Sequence, residues 1–144
     1  MTDIELLKIP YPMSFVPASA ILDARVRVLV VEDENLVRLD VSKTLRAVGF
    51  EVIEAESADS AITFIEAGEP INIMFTDIHL PGMLDGLALG NIMRAARPLV
   101  PLIFASGNLT KRTVASRIGK FVPKPYEVRD IVDLIAEVVR AAKR

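Results

Sequence analysis

Short apolar runs alternate along this chain with stretches whose apolar residues recur every three or four positions. The β-branched run VRVLVV (26–31) predicts a first strand. From Asn35 to Val48, the residues Val37, Val41, Leu45 and Val48 fall at helical spacing, and Gly49 supplies a stop. FEVIEA (50–55) predicts the second strand. Ser57 follows as a helix cap, with Ala58, Ala61, Ile62 and Ile65 facing inward and an end at Gly68. INIMFT (71–76) predicts a third strand, and residues 86–96 a helix stopped before Pro98. PLIFA (101–105) predicts a fourth strand, Thr110 to Arg117 about two helical turns, and KFV (120–122) a short fifth strand. A last helix is expected over 127–142, with Val128, Ile131, Ile135, Val138 and Ala142 on one face.

Five strand–helix units in a row predict an α/β fold, a parallel sheet covered on both faces. Strands one, three and four are nearly continuous apolar runs, as central strands require. Strand two carries Glu51 and Glu54 and strand five is short, so these take the edges. The expected order is 2-1-3-4-5, a flavodoxin-like doubly wound sheet. Ligands bind such sheets beyond the carboxyl ends of the strands, where the order reverses between strands one and three.

Composition narrows the picture. The 144 residues are 51% hydrophobic and 25% charged, enough apolar material for one core. A net charge of −2 argues against a nucleic-acid module. There is no Cys, so no disulfide or thiolate metal site is available. No run of 18 apolar residues is present. Pro10, Pro12 and Pro17 interrupt the apolar segment that a secretory leader would need.

The strand ends carry the candidate chemistry. Strand one ends in Glu32 and Asp33, strand three in Asp77 and strand four in Ser106, and Lys124 follows strand five. Three acids brought together raise one another's pKa unless a cation intervenes. The donors on offer are oxygens, which points to Mg²⁺. A carboxylate beside Mg²⁺ can attack a phosphoryl group and form an acyl phosphate. The metal, the Ser106 hydroxyl and the Lys124 ammonium would then each take one phosphoryl oxygen. Plainer roles stand beside these: an acidic helix start at Glu32 and Asp33, a loop cap at Ser106, a surface charge at Lys124.

With these motifs in order, the chain resembles the receiver domain of bacterial two-component response regulators, from about Arg25 to Lys143. VLVVEDE resembles the family's acidic motif, DIHLPGMLDG the segment at its phosphoacceptor, FASG its small hydroxyl residue and KPY its Lys-Pro pair. The resemblance implies that Asp77 accepts a phosphoryl group, with Ser106 and Lys124 assisting. It implies that Glu32, Asp33 and Asp77 hold Mg²⁺ together with the backbone carbonyl of His79, Asp33 directly and Glu32 mainly through water. Phe121 matches the aromatic switch position, with a plain core role as the alternative, and the Lys124–Pro125 peptide is expected to be cis. The implied donor is a sensor histidine kinase or a His-containing phosphotransfer protein, and the implied location is cytoplasmic.

Two departures bear on output. The loop from Asp77 to Gly86 is one residue longer than the family pattern. The span from Ser106 to Lys124 is shorter, and the loss falls on the fourth helix. No DNA-binding domain is expected after the last helix, so the reading is a stand-alone switch, not a turnover enzyme, acting on an unknown output protein. A degenerate receiver that binds partners without phosphorylation is the first alternative. An Asp-nucleophile phosphatase is the second, though His79 stands where that chemistry needs a second Asp. The basic residues Lys111, Arg112, Arg117 and Lys120 face an acidic series on the last helix, Glu127, Asp130, Asp133 and Glu137. The plain reading of both series is two solvated faces; their complementarity, with the family's dimerisation through this face, offers a homodimer through the helix 4–strand 5–helix 5 face as the alternative. Residues 1–24 are apolar for a solvated tail and read either as disordered or as a docking arm, with the receiver domain spanning 25–144.

Overall fold

The computed structural model describes residues 25–142; the expectations for residues 1–24 lie outside that range. Strands β1 (Arg27–Val31), β2 (Glu51–Ala55), β3 (Ile73–Asp77), β4 (Leu102–Ser106) and β5 (Lys120–Pro123) form one parallel sheet in the order β2-β1-β3-β4-β5. Helices α1 (Asn35–Ala47), α2 (Ala58–Glu66), α3 (Gly86–Ala96), α4 (Arg112–Ser116) and α5 (Val128–Ala142) connect or follow the strands. The predicted order and the central placement of β1, β3 and β4 hold.

Strand side chains alternate between faces, and that alternation divides the core in two. Val28, Val30, Phe75 and Ile103 pack with Val41 and Leu45 of α1 and with Ile131 and Ile135 of α5. Leu29, Val31, Met74 and Phe104 pack with Ala61 of α2, Leu89 and Met93 of α3 and Ala115 of α4. Every residue of β3 and β4 is buried, which explains why their sequences are apolar without alternation. Both edge strands, β2 and β5, carry partly exposed residues.

Local signals act where they were read. Ser57 Oγ accepts the Ser60 N–H and caps α2, and the chain leaves that helix through Gly68 at φ 77°. Some boundaries differ. β3 and β4 run one residue further than their apolar runs, so Asp77 and Ser106 are the last ladder residues. The two expected turns after Thr110 are a 3₁₀ turn, Leu109–Lys111, and a five-residue α4. On α5 the buried set is Ile131, Val132, Ile135, Ala136 and Val139, while Val138 is half-buried and Ala142 exposed. The inward face is rotated from the expected stripe because two adjacent rows of the helix share the contact with α1 and the sheet. Among the described residues, no helix is long and apolar enough to cross a membrane.

Candidate functional site

Parallel register brings the polar strand ends to one level. Val31 of β1 is opposite Thr76, Asp77 is opposite Ala105, and Ser106 is opposite Pro123. Beyond β1, the Glu32 N–H donates to the Ala55 carbonyl at 3.0 Å and carries the ladder one step further. Across the other side, the Lys124 N–H donates to the Ser106 carbonyl at 2.9 Å. These backbone bonds place Glu32, Asp77, Ser106 and Lys124 around one mouth. The Lys124–Pro125 peptide is cis, as expected.

At that mouth one carboxylate oxygen from each of Glu32, Asp33 and Asp77 lies within 4.8 Å of the other two. Glu32 and Asp77 are buried, at 3% and 6% exposure, and Asp33 is exposed. The Lys124 Nζ stands between the two buried acids, 3.0 Å from Asp77 Oδ2 and 3.7 Å from Glu32 Oε2. One ammonium therefore faces three carboxylates, and the pocket is short of positive charge. Burial, with the Asp77 charge adding to it, pushes the Glu32 carboxyl up to about 7, although the Glu34 N–H it accepts at 3.1 Å works the other way. Burial alone would lower Lys124, but the Asp77 hydrogen bond and the charges of Asp77, Glu32 and Glu34 outweigh it and raise the ammonium.

The donor set is all oxygen, clustered and short of cations, which suits a hard divalent ion such as Mg²⁺. Ser106 is fully buried, and its Oγ accepts the Asn108 N–H at 3.0 Å, leaving its own hydrogen to donate. His79 is exposed, and its imidazole is outside the carboxylate cluster. Phe121 sits beside Phe104 across the β4–β5 ladder, half-buried against the second core layer.

Three neighbours escaped the sequence reading. The Arg112 guanidinium lies over the Phe121 ring, 5.2 Å from its centroid. The Arg38 guanidinium donates to the Glu32 carbonyl at 2.8 Å and pairs with Glu54 at 3.5 Å. Tyr126 packs edge-on against Phe75, and its buried hydroxyl has no hydrogen-bond partner among the described residues. Burial and the negative charges of Glu32 and Asp77 push that phenol up. KPY named Tyr126 in the sequence, but no local pattern marks an arginine as a stacking partner across a turn. A groove of about 620 Å³ opens next to the acids, lined by Glu34, Leu36, Asp40, Lys124, Tyr126 and Val128.

Comparison with known proteins agrees with this geometry. Residues 28–136 match the family model of the response regulator receiver domain. The response regulator receiver protein CpdR of Brucella abortus is 31% identical over 120 residues, which is 81% of this chain and 98% of that protein. The response regulator protein FleR of Pseudomonas aeruginosa is 33% identical over 114 residues, 76% of this chain but 24% of FleR. The chain thus spans about a quarter of FleR and nearly all of CpdR. A crystal structure of a CheY-like receiver domain protein from Methanospirillum hungatei superposes with a TM-score of 0.77 at 26% identity, covering 83% of this chain and 98% of that one.

Proposed function

The chain belongs to the response regulator receiver family, and from that premise we propose that it is a phosphorylation-operated switch of a two-component or phosphorelay system. Asp77 is the acceptor. The observation that carries this reading is the meeting of three carboxylates with one ammonium at the strand ends, Lys124 Nζ lying 3.0 Å from Asp77 Oδ2.

Asp33, the exposed acid, would hold Mg²⁺ directly together with Asp77 and the His79 carbonyl, and Glu32 would contribute through water. Mg²⁺ bound there supplies the positive charge that the acids and an incoming phosphoryl group lack. The chain's own residues do the rest. An Asp77 carboxylate oxygen forms a bond to phosphorus while the donor's N–P bond breaks and its imidazole keeps the electron pair. Lys124 pairs with one phosphoryl oxygen and Ser106 donates to another. Water later cleaves the acyl phosphate, so the chain cycles between states and is not a turnover enzyme.

The donor is a histidine kinase or a His-containing phosphotransfer protein. The groove beside Lys124 gives it a seat, because Leu36 on its rim is 82% exposed and Glu34 and Asp40 offer charge to a basic partner. Once phosphorylated, Ser106 and Phe121 shift the equilibrium between two states, which an output protein or a second copy reads through α4, β5 and α5. No nucleic acid or membrane enters this scheme. Beryllofluoride with Mg²⁺, a stand-in for the phosphoryl group, tests it. The amide resonances of Ser106, Gly107 and Lys124 should move in the wild type and stay in place in Asp77→Asn. Unmoved resonances in the wild type would contradict the proposal.

A further inference from the structure

The turn from β1 into α1 carries two of the three acids, so whatever holds that turn places them. Glu34, at the cap position of α1, makes no side-chain cap hydrogen bond. The Glu32 carboxylate accepts the Glu34 N–H at 3.1 Å, and the Glu32 N–H donates to the Ala55 carbonyl at 3.0 Å. The Glu32 carbonyl belongs to the peptide that leads into Asp33, and Arg38 holds it.

Arg38 lies in the first turn of α1. A cation near a helix amino end opposes the helix dipole, and a guanidinium whose side chain is only 16% exposed loses hydration. Three acceptors offset both costs. Nη1 donates to the Glu32 carbonyl at 2.8 Å, Nη2 donates to Asn35 Oδ1 at 2.7 Å, and Nε pairs with Glu54 Oε1 at 3.5 Å. The guanidinium presents its donors in a fixed planar fork, so Asn35 and Glu54 set the direction of the N–H that meets Glu32. Glu54 is anchored in turn, accepting from Arg46 Nη1 at 2.9 Å. The Glu32 carbonyl and the Asp33 N–H share one rigid peptide plane, so fixing the first fixes the Cα from which Asp33 extends. Asp33 is exposed, and packing does little to place it.

We propose that Arg38 is a positioning residue for the metal site, holding the Glu32–Asp33 peptide so that Asp33 stands ready for Mg²⁺. The role rests on the reading of Glu32, Asp33 and Asp77 as a Mg²⁺ site. Its sign separates it from a simple effect of charge. Removing a cation from beside three acids would, by Coulomb attraction alone, tighten Mg²⁺ binding. Losing a positioning contact weakens it.

Calorimetric titration of the full chain with magnesium chloride decides between the two. Arg38→Met keeps the aliphatic stem and removes the fork, and its Kd for Mg²⁺ should rise about tenfold. Arg38→Lys keeps the charge without the fork and should fall between that variant and wild type, which supplies the reading if Arg38→Met folds poorly. Arg46→Met is the control. It removes the same charge from the same helix, but its donors serve Glu54 and the Val52 carbonyl, not Glu32. Its Kd should stay close to that of wild type. In the metal-free chain the Asp33 amide resonance should move in Arg38→Met and stay in place in Arg46→Met. At saturating Mg²⁺, phosphorylation of Arg38→Met by acetyl phosphate should return to nearly the wild-type rate, because Asp77, Ser106 and Lys124 are unchanged. Wild-type or tighter Mg²⁺ binding by Arg38→Met would overturn the role of Arg38 alone. Equal weakening in Arg46→Met, or a rate that stays low at saturating Mg²⁺, would overturn it too. A wild type that takes up no Mg²⁺ would overturn the reading of the site beneath it.

Discussion

Glu32 is the residue on which the electrostatics of the site concentrate. Its carboxyl is buried beside Asp77, and its pKa stands near 7 instead of the usual 4.5. The folded chain therefore holds that proton more tightly than the unfolded chain does. The contribution to stability is fully present below pH 4.5, fades as pH rises through the window from 4.5 to about 7, and is constant above it. Glu32→Gln keeps the oxygen that accepts the Glu34 N–H and removes the charge. In metal-free buffer this variant should be more stable than wild type at pH 8, by roughly 1–3 kcal/mol, and indistinguishable at pH 4. Urea melts at the two pH values check this, and an equal difference at both would contradict the stated cause. Glu32 and Asp33 separate in metal binding. Asp33→Ala should weaken Mg²⁺ affinity more than Glu32→Gln, because it removes a direct anionic ligand. Titration calorimetry reads the order, and equal affinities would reverse the assignment. At this scale the candidate site was legible, since Glu32, Asp33, Asp77, Ser106 and Lys124 are the polar residues that end or follow apolar runs. Arg112 over Phe121 and the unpartnered hydroxyl of Tyr126 were not, because both depend on how side chains pack between elements and not on a local pattern.

Among the elements, α3 has the tightest tie to the site. Its first residue, Gly86, donates its N–H to the Ile78 carbonyl at 2.7 Å, and a Cβ there would run into the Asp77 carbonyl oxygen. Glycine is thus required by a close approach of backbone to backbone. Gly86→Ala should destabilise the chain by about 1–3 kcal/mol, as overpacking does, and displace Asp77 enough to slow its phosphorylation. Thermal melts and the phosphorylation rate measure the two effects, and a variant normal in both would refute the constraint. Strand order and the ends of α3 could be read from the chain because apolar runs and stop signals are local. The inward face of α5 could not be fixed to the residue, because Val138 and Val139 both fit a helical period and only packing against α1 selects Val139. The brevity of α4 was read from the short span between Ser106 and Lys124, and the 3₁₀ turn before it takes up part of that span.

For the whole molecule, charge is arranged around β5. Arg112, Arg117 and Lys120 are exposed on one side, and Asp130, Asp133 and Glu137 are exposed on α5 on the other. A two-fold axis along this edge would set each basic patch against the acidic residues of a second copy. If phosphorylation drives that pairing, the beryllofluoride form should sediment as a dimer at low salt and dissociate at high salt. Asp133→Lys should weaken it, and a monomer under both conditions would exclude the contact. The dimer, like the docking of any partner, involves surfaces whose sequence constraints are weak beside those of the core, which is why the chain reveals its fold more fully than its output. The central claim is that Asp77 accepts a phosphoryl group in a Mg²⁺-assisted site. Intact-mass measurement after incubation with acetyl phosphate tests it most directly. The wild type should gain the mass of one phosphoryl group with Mg²⁺ and none with a chelator, and Asp77→Asn should gain none in either case. A full phosphoryl adduct on Asp77→Asn, or an unmodified wild type with Mg²⁺ present, would contradict the account.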